Sequence, residues 1–268
     1  MFYKKKTKVV FKQYKKRNMT KMITQNKKML PTMANWRKEG DTWIHKDEPR
    51  NLRGNALETY KKTLHLTQQQ KDILIGSLLG DGYIHFHRST KQPTYGFCLA
   101  QTWYATDYVE HMYQVFKPFV GTPPKINLIG GIKQGLPNRY EARFKTYSHN
   151  EFKYYYDLFY PANDNKRIKR VPKNIGELLT ARSLAYWFME DGARGPRLPK
   201  SAAYFISTHS FSYDDQLVLV NALEKNFGIQ SVLHKDKEYF RLSIKPGFRH
   251  NFYNLIKPFI HSYFEYKL

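Results

Sequence analysis

Two short stretches of this chain look like copies of each other, and they decide the fold. The first reads Leu-Ile-Gly-Ser-Leu-Leu-Gly-Asp-Gly at residues 74–82, and the second reads Leu-Ala-Tyr-Trp-Phe-Met-Glu-Asp-Gly at residues 184–192. Each is an apolar run of helical length that ends in Asp-Gly, and the glycine predicts a helix stop because it tolerates the left-handed conformation. Each stretch therefore predicts a buried helix that delivers one carboxylate from its C-terminal end.

The two carboxylates, Asp81 and Asp191, are badly placed unless a cation lies beside them. A helix C-terminus carries partial negative charge, which disfavours a second negative group there. Two such helices packed side by side also bring the carboxylates together, where each raises the other's pKa unless a divalent metal offsets the charge. A single Asp-Gly after an apolar helix is equally well explained as a cap followed by a turn. The duplication favours a metal site.

The two stretches resemble the LAGLIDADG motif of intron-encoded homing endonucleases, in the branch that carries two motif copies in one chain. The second copy, at residues 183–192, and the run at residues 252–258 are similar to that branch in particular. The resemblance covers residues 66–268. It implies a monomeric enzyme that cuts a long, non-palindromic DNA site across the minor groove with Mg²⁺, or with Mn²⁺ as a substitute, and leaves 3′ overhangs.

The elements after each motif helix repeat in one order, helix-strand-strand-helix-strand-strand-helix. Thr67 with Gln70 three residues later predicts the start of the first motif helix, and Thr180 predicts the start of the second. Each repeat should give a four-stranded sheet whose apolar face is covered by helices. The expected class is α+β, with two pseudo-symmetric αββαββα repeats forming a saddle of antiparallel sheets around two central motif helices. The predicted boundaries are residues 1–65 for an N-terminal extension, 66–178 for the first repeat and 179–268 for the second.

The composition points to a polyanionic partner. The chain has 268 residues, with 45 Lys and Arg against 22 Asp and Glu, and a net charge of +23. Such an excess is typical of proteins that bind nucleic acid or an anionic membrane. No apolar run reaches the roughly 18 residues of a membrane span, and the lone Cys98 excludes an internal disulfide or a zinc-binding cysteine cluster. Double-stranded DNA is the predicted partner.

The segment before the first motif has a different character. Residues 1–28 carry eleven Lys or Arg and no Asp or Glu, which predicts a disordered basic arm. A targeting peptide is the alternative, although such peptides are Arg- and Ser-rich rather than Lys-rich. Residues 36–64 predict an extension that lies loosely on DNA or on the core. The preference for residues with A/T-rich codons points to an organellar genome, mitochondrial or chloroplast.

The outward faces of the predicted strands are basic. In residues 139–145, for example, Tyr140, Ala142 and Phe144 face one way and alternate with Arg139, Glu141, Arg143 and Lys145 on the other face. Paired strands can enter the major groove, where base pairs are distinguishable, while further cations meet phosphates. Charge alternation also marks any solvated sheet, but the net charge favours DNA. The predicted DNA-binding residues are His85, His87, Arg139, Arg143, Lys145, Arg194, Arg197, Lys200, His234, Arg241 and Lys245.

The resemblance implies phosphodiester hydrolysis, with metal ions held between Asp81 and Asp191. Gly80 and Glu190, which precede the two aspartates, complete the predicted metal-binding set. Glu190 also competes with Asp191 for the catalytic position, and Asp191 is preferred because it alone aligns with Asp81 before a glycine. Gly76 and Gly80 of the first motif lie four residues apart on one helix face, and they should let the partner helix approach closely.

The resemblance also implies one supporting lysine per site, and the matching positions are Lys169 and Lys267. Arg170 is an alternative to Lys169. Two other functions stay open, an RNA-binding maturase that acts on intron RNA and a DNA-binding protein without activity. Retention of both aspartates favours the nuclease, because neither alternative requires them.

Overall fold

The chain forms two copies of one αββαββα unit, preceded by a hairpin and a helix. The structure is a computed structural model that describes residues 31–88, 92–129, 139–161, 168–195, 203–236 and 238–268. The predicted arm over residues 1–28, together with Arg197 and Lys200, lies outside these residues. Within the described ranges, no helix is both long enough and apolar enough to cross a bilayer.

The elements follow the chain in the predicted order. The N-terminal elements are β1 (Trp36–Glu39), β2 (Thr42–His45) and α1 (Gly54–Lys62). The first repeat comprises α2 (Gln68–Leu79), β3 (Tyr83–His87), β4 (Thr94–Thr102), α3 (Thr106–Phe116), β5 (Lys125–Ile129), β6 (Arg139–Lys145) and α4 (Glu151–Phe159). A short helix α5 (Ile175–Leu178) leads to the second repeat. That repeat comprises α6 (Ala181–Asp191), β7 (Gly192–Arg194), β8 (Tyr204–Ile206), α7 (Tyr213–Phe227), β9 (Ser231–Asp236), β10 (Tyr239–Ile244) and α8 (Arg249–Ile256).

Both motif helices begin with a capping box, as the sequence predicts at Thr67 and Thr180. The Thr67 hydroxyl accepts the backbone N–H of Gln70 at 3.2 Å, and the Gln70 side chain accepts the N–H of Thr67 at 2.9 Å. Thr180 and Ser183 exchange the same pair of bonds at 3.2 and 3.3 Å. These bonds satisfy backbone donors that the first turn leaves without a partner.

The expected left-handed glycine after each motif helix is wrong. Gly192 has a φ of −79°, and Gly82 is absent from the described glycines with positive φ. Both positions instead lack room for a side chain. A Cβ would lie 2.4 Å from the Ser77 hydroxyl oxygen at Gly82, and 2.2 Å from the Phe188 ring at Gly192. The first helix ends at Leu79, so Asp81 follows it, whereas Asp191 closes the second.

The first sheet has six strands, because the N-terminal hairpin adds β1 and β2 to the four strands that the first repeat contributes. Its order is β1-β2-β5-β6-β4-β3, and the second sheet has the order β7-β8-β10-β9. All pairs are antiparallel, and the N-terminal hairpin joins through the pairing of Trp43 with Ile126. The hairpin therefore covers the edge of β5, which otherwise presents unpaired backbone groups.

The segment before the first repeat lies on the core. Trp36 is buried, and its ring contacts that of His45 edge to face at 5.3 Å. His45 meets the Tyr113 ring of α3 at 5.4 Å. Farther on, the Tyr60 hydroxyl of α1 donates to the Pro118 carbonyl at 2.9 Å. Residues 36–64 therefore contact the core, as one of the two predicted options has it.

The two motif helices meet along the molecular centre through glycine. A Cβ on Gly76 would lie 2.2 Å from the carbonyl oxygen of Ser183, and one on Gly80 would lie 2.7 Å from Glu190 Oε2. The predicted close approach at these glycines is confirmed. The C-terminal ends of the two helices lie beside each other, because the Asp81 N–H donates to Glu190 Oε2 at 2.7 Å, and the two aspartates are therefore on the same side of the molecule.

Candidate active site

The end of each motif helix holds one lysine against its last carbonyl groups. Lys169 Nζ donates to the carbonyls of Gly80 at 2.9 Å and Gly82 at 2.8 Å. Lys267 Nζ donates to the carbonyls of Met189 at 2.5 Å and Glu190 at 3.4 Å. These ammonium groups offset the negative end of each helix dipole. The two predicted lysines thus occupy equivalent places in the two halves.

Arg170, the alternative to Lys169, points elsewhere. Its Nε donates to Asp215 Oδ2 at 2.6 Å, and its Nη2 reaches Asp215 Oδ1 and the Ser212 hydroxyl at 3.3 Å. These groups belong to the start of α7, which Ser212 caps. The fork of bonds anchors the linker between the repeats, and the neighbouring Lys169 is the residue that reaches the motif.

The carboxylates and lysines at the ends of the motif helices lie close together and are partly buried, which shifts their pKa values. Burial raises the pKa of Asp191 to about 7, and repulsion by Asp81 adds to the increase, while Lys169 and Lys267 oppose it. Burial lowers the pKa of Lys169, and it lowers that of Lys267 to about 8 against the attraction of the nearby carboxylates. The two lysines therefore do not fully offset the cost of negative charge at Asp191.

The donor set suits a hard divalent cation. Asp81 is exposed and Asp191 is half-buried, so both carboxylates can reach an ion at the surface of the centre. Among the described residues, no three His, Cys, Asp or Glu side chains group as a ready metal cage. Mg²⁺ keeps several waters and is usually held by one or two carboxylates plus substrate phosphate, so it fits a site with one aspartate per repeat. Gly80 lies at the site through its carbonyl, which already accepts a bond from Lys169.

Glu190, the fourth predicted metal ligand, faces the first repeat instead. Its Oε2 accepts the backbone N–H of Asp81 at 2.7 Å and the Ser77 hydroxyl at 3.2 Å. Its Oε1 accepts the Tyr108 hydroxyl at 2.7 Å. Burial, with repulsion by Asp81, raises the pKa of Glu190 to about 8. Both oxygens are already engaged, so the contacts of this residue are with protein groups.

Gln101 is a site residue that the sequence reasoning missed. Its Nε2 donates to Asp81 Oδ2 at 2.6 Å from the end of β4. The signal was present in the strand pattern, because Gln101 has the parity of the buried Phe97 and Leu99. A polar residue at an inward position of an otherwise apolar strand face indicates a polar partner at that position.

The outer face of the first sheet carries the predicted cations of that repeat. Arg139, Arg143, Lys145 and His87 are exposed, and His85 is half-buried. The strand register places Arg143 of β6 opposite Lys125 of β5 on one side and Ala100 of β4 on the other, so the three residues form one row across the sheet. The predicted alternation is present, and it leaves a basic surface on the side away from the covering helices.

The predicted cations of the second repeat are in contact with other groups of the protein. His234 and Arg241 are cross-strand partners, and the Arg241 guanidinium lies 4.2 Å from the Phe205 ring centre. Lys245 Nζ donates to the Gln230 side chain at 3.1 Å. Arg194, on β7, donates to the Leu268 carbonyl, so part of its guanidinium is used within the protein.

Known proteins match this chain over most of its length. The profile described as "LAGLIDADG DNA endonuclease family" matches residues 71–251. DNA endonuclease I-ChuI of Chlamydomonas applanata is 32% identical over 216 residues, covering 76% of this chain and 96% of the relative. Probable intron-encoded endonuclease 1 of Wickerhamomyces canadensis is 31% identical over 216 residues, covering 79% and 89%. The solved structure of the homing endonuclease I-WcaI bound to its DNA recognition sequence has a TM-score of 0.69 and 25% identity, covering 81% of this chain and 95% of that one. The profile match begins inside α2 and ends inside α8, so it contains both motif helices but not the β1–β2 hairpin.

Proposed function

The chain belongs to the LAGLIDADG DNA endonuclease family, and on that premise we propose that it is a monomeric, site-specific homing endonuclease. Its substrate is a long, non-palindromic duplex, and its cofactor is Mg²⁺, which Mn²⁺ can replace. The observation that supports this proposal is the arrangement of two aspartates and two lysines where the motif helices end. Two repeats deliver Asp81 and Asp191 to one place, each with a lysine on the adjoining carbonyl groups.

The residues of the centre have separable roles in phosphodiester hydrolysis. Asp81 and Asp191 would hold divalent ions, which when bound would supply charge stabilisation at the phosphate and the leaving 3′ oxygen and lower the pKa of a water. Gln101 orients Asp81 by donating to its Oδ2 at 2.6 Å. Lys169 and Lys267 add positive charge near the reacting phosphates.

The close contact between the two motif helices predicts the kind of cut. The motif helices touch at Gly76 and Gly80, so the two aspartates serve phosphates that are close together. Phosphates on opposite strands approach that closely only across the minor groove, which is about 6 Å wide in B-DNA. The nearest pairs are offset toward the 3′ side, so cutting both leaves short 3′ overhangs. The two repeats differ in sequence, and we expect their half-sites to differ as well.

Cleavage of a defined target tests the proposal. The purified protein is incubated with duplex DNA from an allele that lacks the host intron, with Mg²⁺, with Mn²⁺ or with a chelator. Both strands are end-labelled, so that the cut positions and the overhang are read directly. We expect metal-dependent 3′ overhangs from one chain. Blunt ends, 5′ overhangs or activity only as a dimer would contradict the paired-helix geometry.

The same samples separate the other functions. Tight binding of the target without cleavage in any metal would indicate a DNA-binding protein, and binding of intron RNA in preference to the duplex would indicate a maturase. We propose an organellar origin, mitochondrial or chloroplast, because the residue usage fits A/T-rich codons. Sequencing the intron that surrounds the reading frame tests that assignment.

A further inference from the structure

Glu190 belongs to the second motif helix, but its carboxylate is bound by the first repeat. The backbone N–H of Asp81 and the Tyr108 hydroxyl each lie 2.7 Å from one of its oxygens, and the Ser77 hydroxyl lies 3.2 Å away. Ser77 is on the first motif helix, and Tyr108 is on α3. A side-chain oxygen that accepts a backbone N–H at this distance makes a well-formed hydrogen bond that fixes the position of that backbone group. The turn that carries Asp81 is thus held by a side chain from the other repeat.

The equivalent position in the first repeat cannot return this contact. Gly80 aligns with Glu190, and it has no side chain that can reach the turn at Asp191. A Cβ on Gly80 would lie 2.7 Å from Glu190 Oε2 and 2.8 Å from Glu190 Cβ, so the glycine makes room for the glutamate. Asp191 is held by its own repeat, since it is the last residue of α6 and its carbonyl accepts the Ser207 N–H at 2.9 Å.

We infer that Glu190 is a positioning residue that fixes Asp81 across the repeat interface, so that the two DNA strands are cut by half-sites of different construction. This inference rests on the proposed endonuclease function. Its consequence is specific to one strand. Loss of the Glu190 acceptor leaves the Asp81 N–H without this partner and loosens the Asp81 turn, but it leaves the support of Asp191 in place.

Single-turnover cleavage with each strand carrying its own label tests the inference. Glu190→Met keeps the side-chain volume and removes both acceptor oxygens, Glu190→Ala removes the side chain, and Glu190→Gln keeps an acceptor for the Asp81 N–H. Lys169→Met identifies the strand that the first half-site cuts, because Lys169 contacts the Gly80 and Gly82 carbonyls. A misplacement of about 1 Å can lower a rate by about a hundredfold. We expect Glu190→Met to slow the strand marked by Lys169→Met by about that factor, so that nicked DNA accumulates, and Glu190→Gln to restore double-strand cutting.

A control separates this effect from a general loss of stability. Asn226 Nδ2 donates to the carbonyls of Gly176 at 2.7 Å and Leu179 at 3.0 Å, in the segment that precedes α6. Asn226→Ala should lower the unfolding temperature without accumulation of nicked DNA, and all variants should bind the target in chelator. Equal slowing of both strands in Glu190→Met, or no recovery in Glu190→Gln, would overturn the inference. If Glu190→Met does not fold, Glu190→Ala is read in the same way. Absence of cutting by the wild-type protein would instead contradict the proposed function.

Discussion

The tightest contact of the motif helices lies at Gly76, and adding one methyl group there gives a defined perturbation. In Gly76→Ala the new Cβ would lie 2.2 Å from the Ser183 carbonyl oxygen and 2.8 Å from the Tyr186 Cβ. The obstacle is the backbone of α6, which cannot rotate away as a flexible side chain can. Ordinary contacts between such atoms are about 3.5 Å, so the two helices must separate by about 1 Å.

The magnitude follows from this separation. Overpacking of a tight core costs about 1–3 kcal/mol, and each kcal/mol lowers the unfolding temperature of a protein of this size by about 2–4 °C. The same shift moves Asp81 away from Asp191, and a misplacement of about 1 Å can cost about a hundredfold in rate. We therefore expect Gly76→Ala to lose more cleavage than DNA affinity.

Thermal unfolding, single-turnover cleavage and DNA binding in chelator measure the three quantities. Gly247→Ala is the matched control, because no atom lies within 4 Å of the added Cβ. Its stability should stay within about 0.5 kcal/mol of the wild type, as is usual for surface positions. A Gly76→Ala protein that unfolds at the wild-type temperature and cuts at the wild-type rate would refute the close approach at this glycine.

Three further outcomes are expected. Asp81→Asn and Asp191→Asn should each abolish double-strand cleavage and keep binding, and lost binding would indicate structural caps instead. Affinity should fall with salt at a slope of about −0.9 per neutralised phosphate, and removal of residues 1–28 should flatten that slope. A changed sequence preference in that truncation would show that the segment reads bases. Relative to Glu190→Gln, the wild type in chelator should lose stability as pH rises from 4.5 to about 8, because the raised pKa of Glu190 means that the native state binds this proton more tightly than the unfolded state. Thermal unfolding at the two ends of that range checks the sign, and a relative gain in stability would contradict it.

The elements of both repeats were predictable because local patterns specify them. Alternating apolar residues give β6, and the capping boxes at Thr67 and Thr180 give the helix starts. The destination of the N-terminal hairpin was not predictable in this way. Its Gly40-Asp41 loop between two strands is a local hairpin signal, but the edge that it joins is about eighty residues farther along the chain at Ile126. Nothing in the local pattern selects that partner.

The candidate active site likewise contains residues that the sequence pattern identifies and residues whose role only the packing reveals. The duplicated Asp-Gly marks Asp81 and Asp191 directly, because two similar stretches align without any structure. The role of Glu190 depends on which groups the partner helix brings against it, and alignment alone leaves it as a rival of Asp191. Gly82 and Gly192 were predicted to adopt a left-handed turn. Their contacts with Ser77 and Phe188 show instead that these positions have no room for a side chain.

The pairing of Gly80 with Glu190 limits how halves of such enzymes can be exchanged. A homodimer of the second repeat would place two Glu190 side chains against each other in a space that now holds one, and such overpacking is destabilising. A homodimer of the first repeat would face glycine with glycine and leave the Asp81 amide without its acceptor. Chimeras that exchange one repeat for that of a relative should therefore be built with both partners of this pair from the same parent.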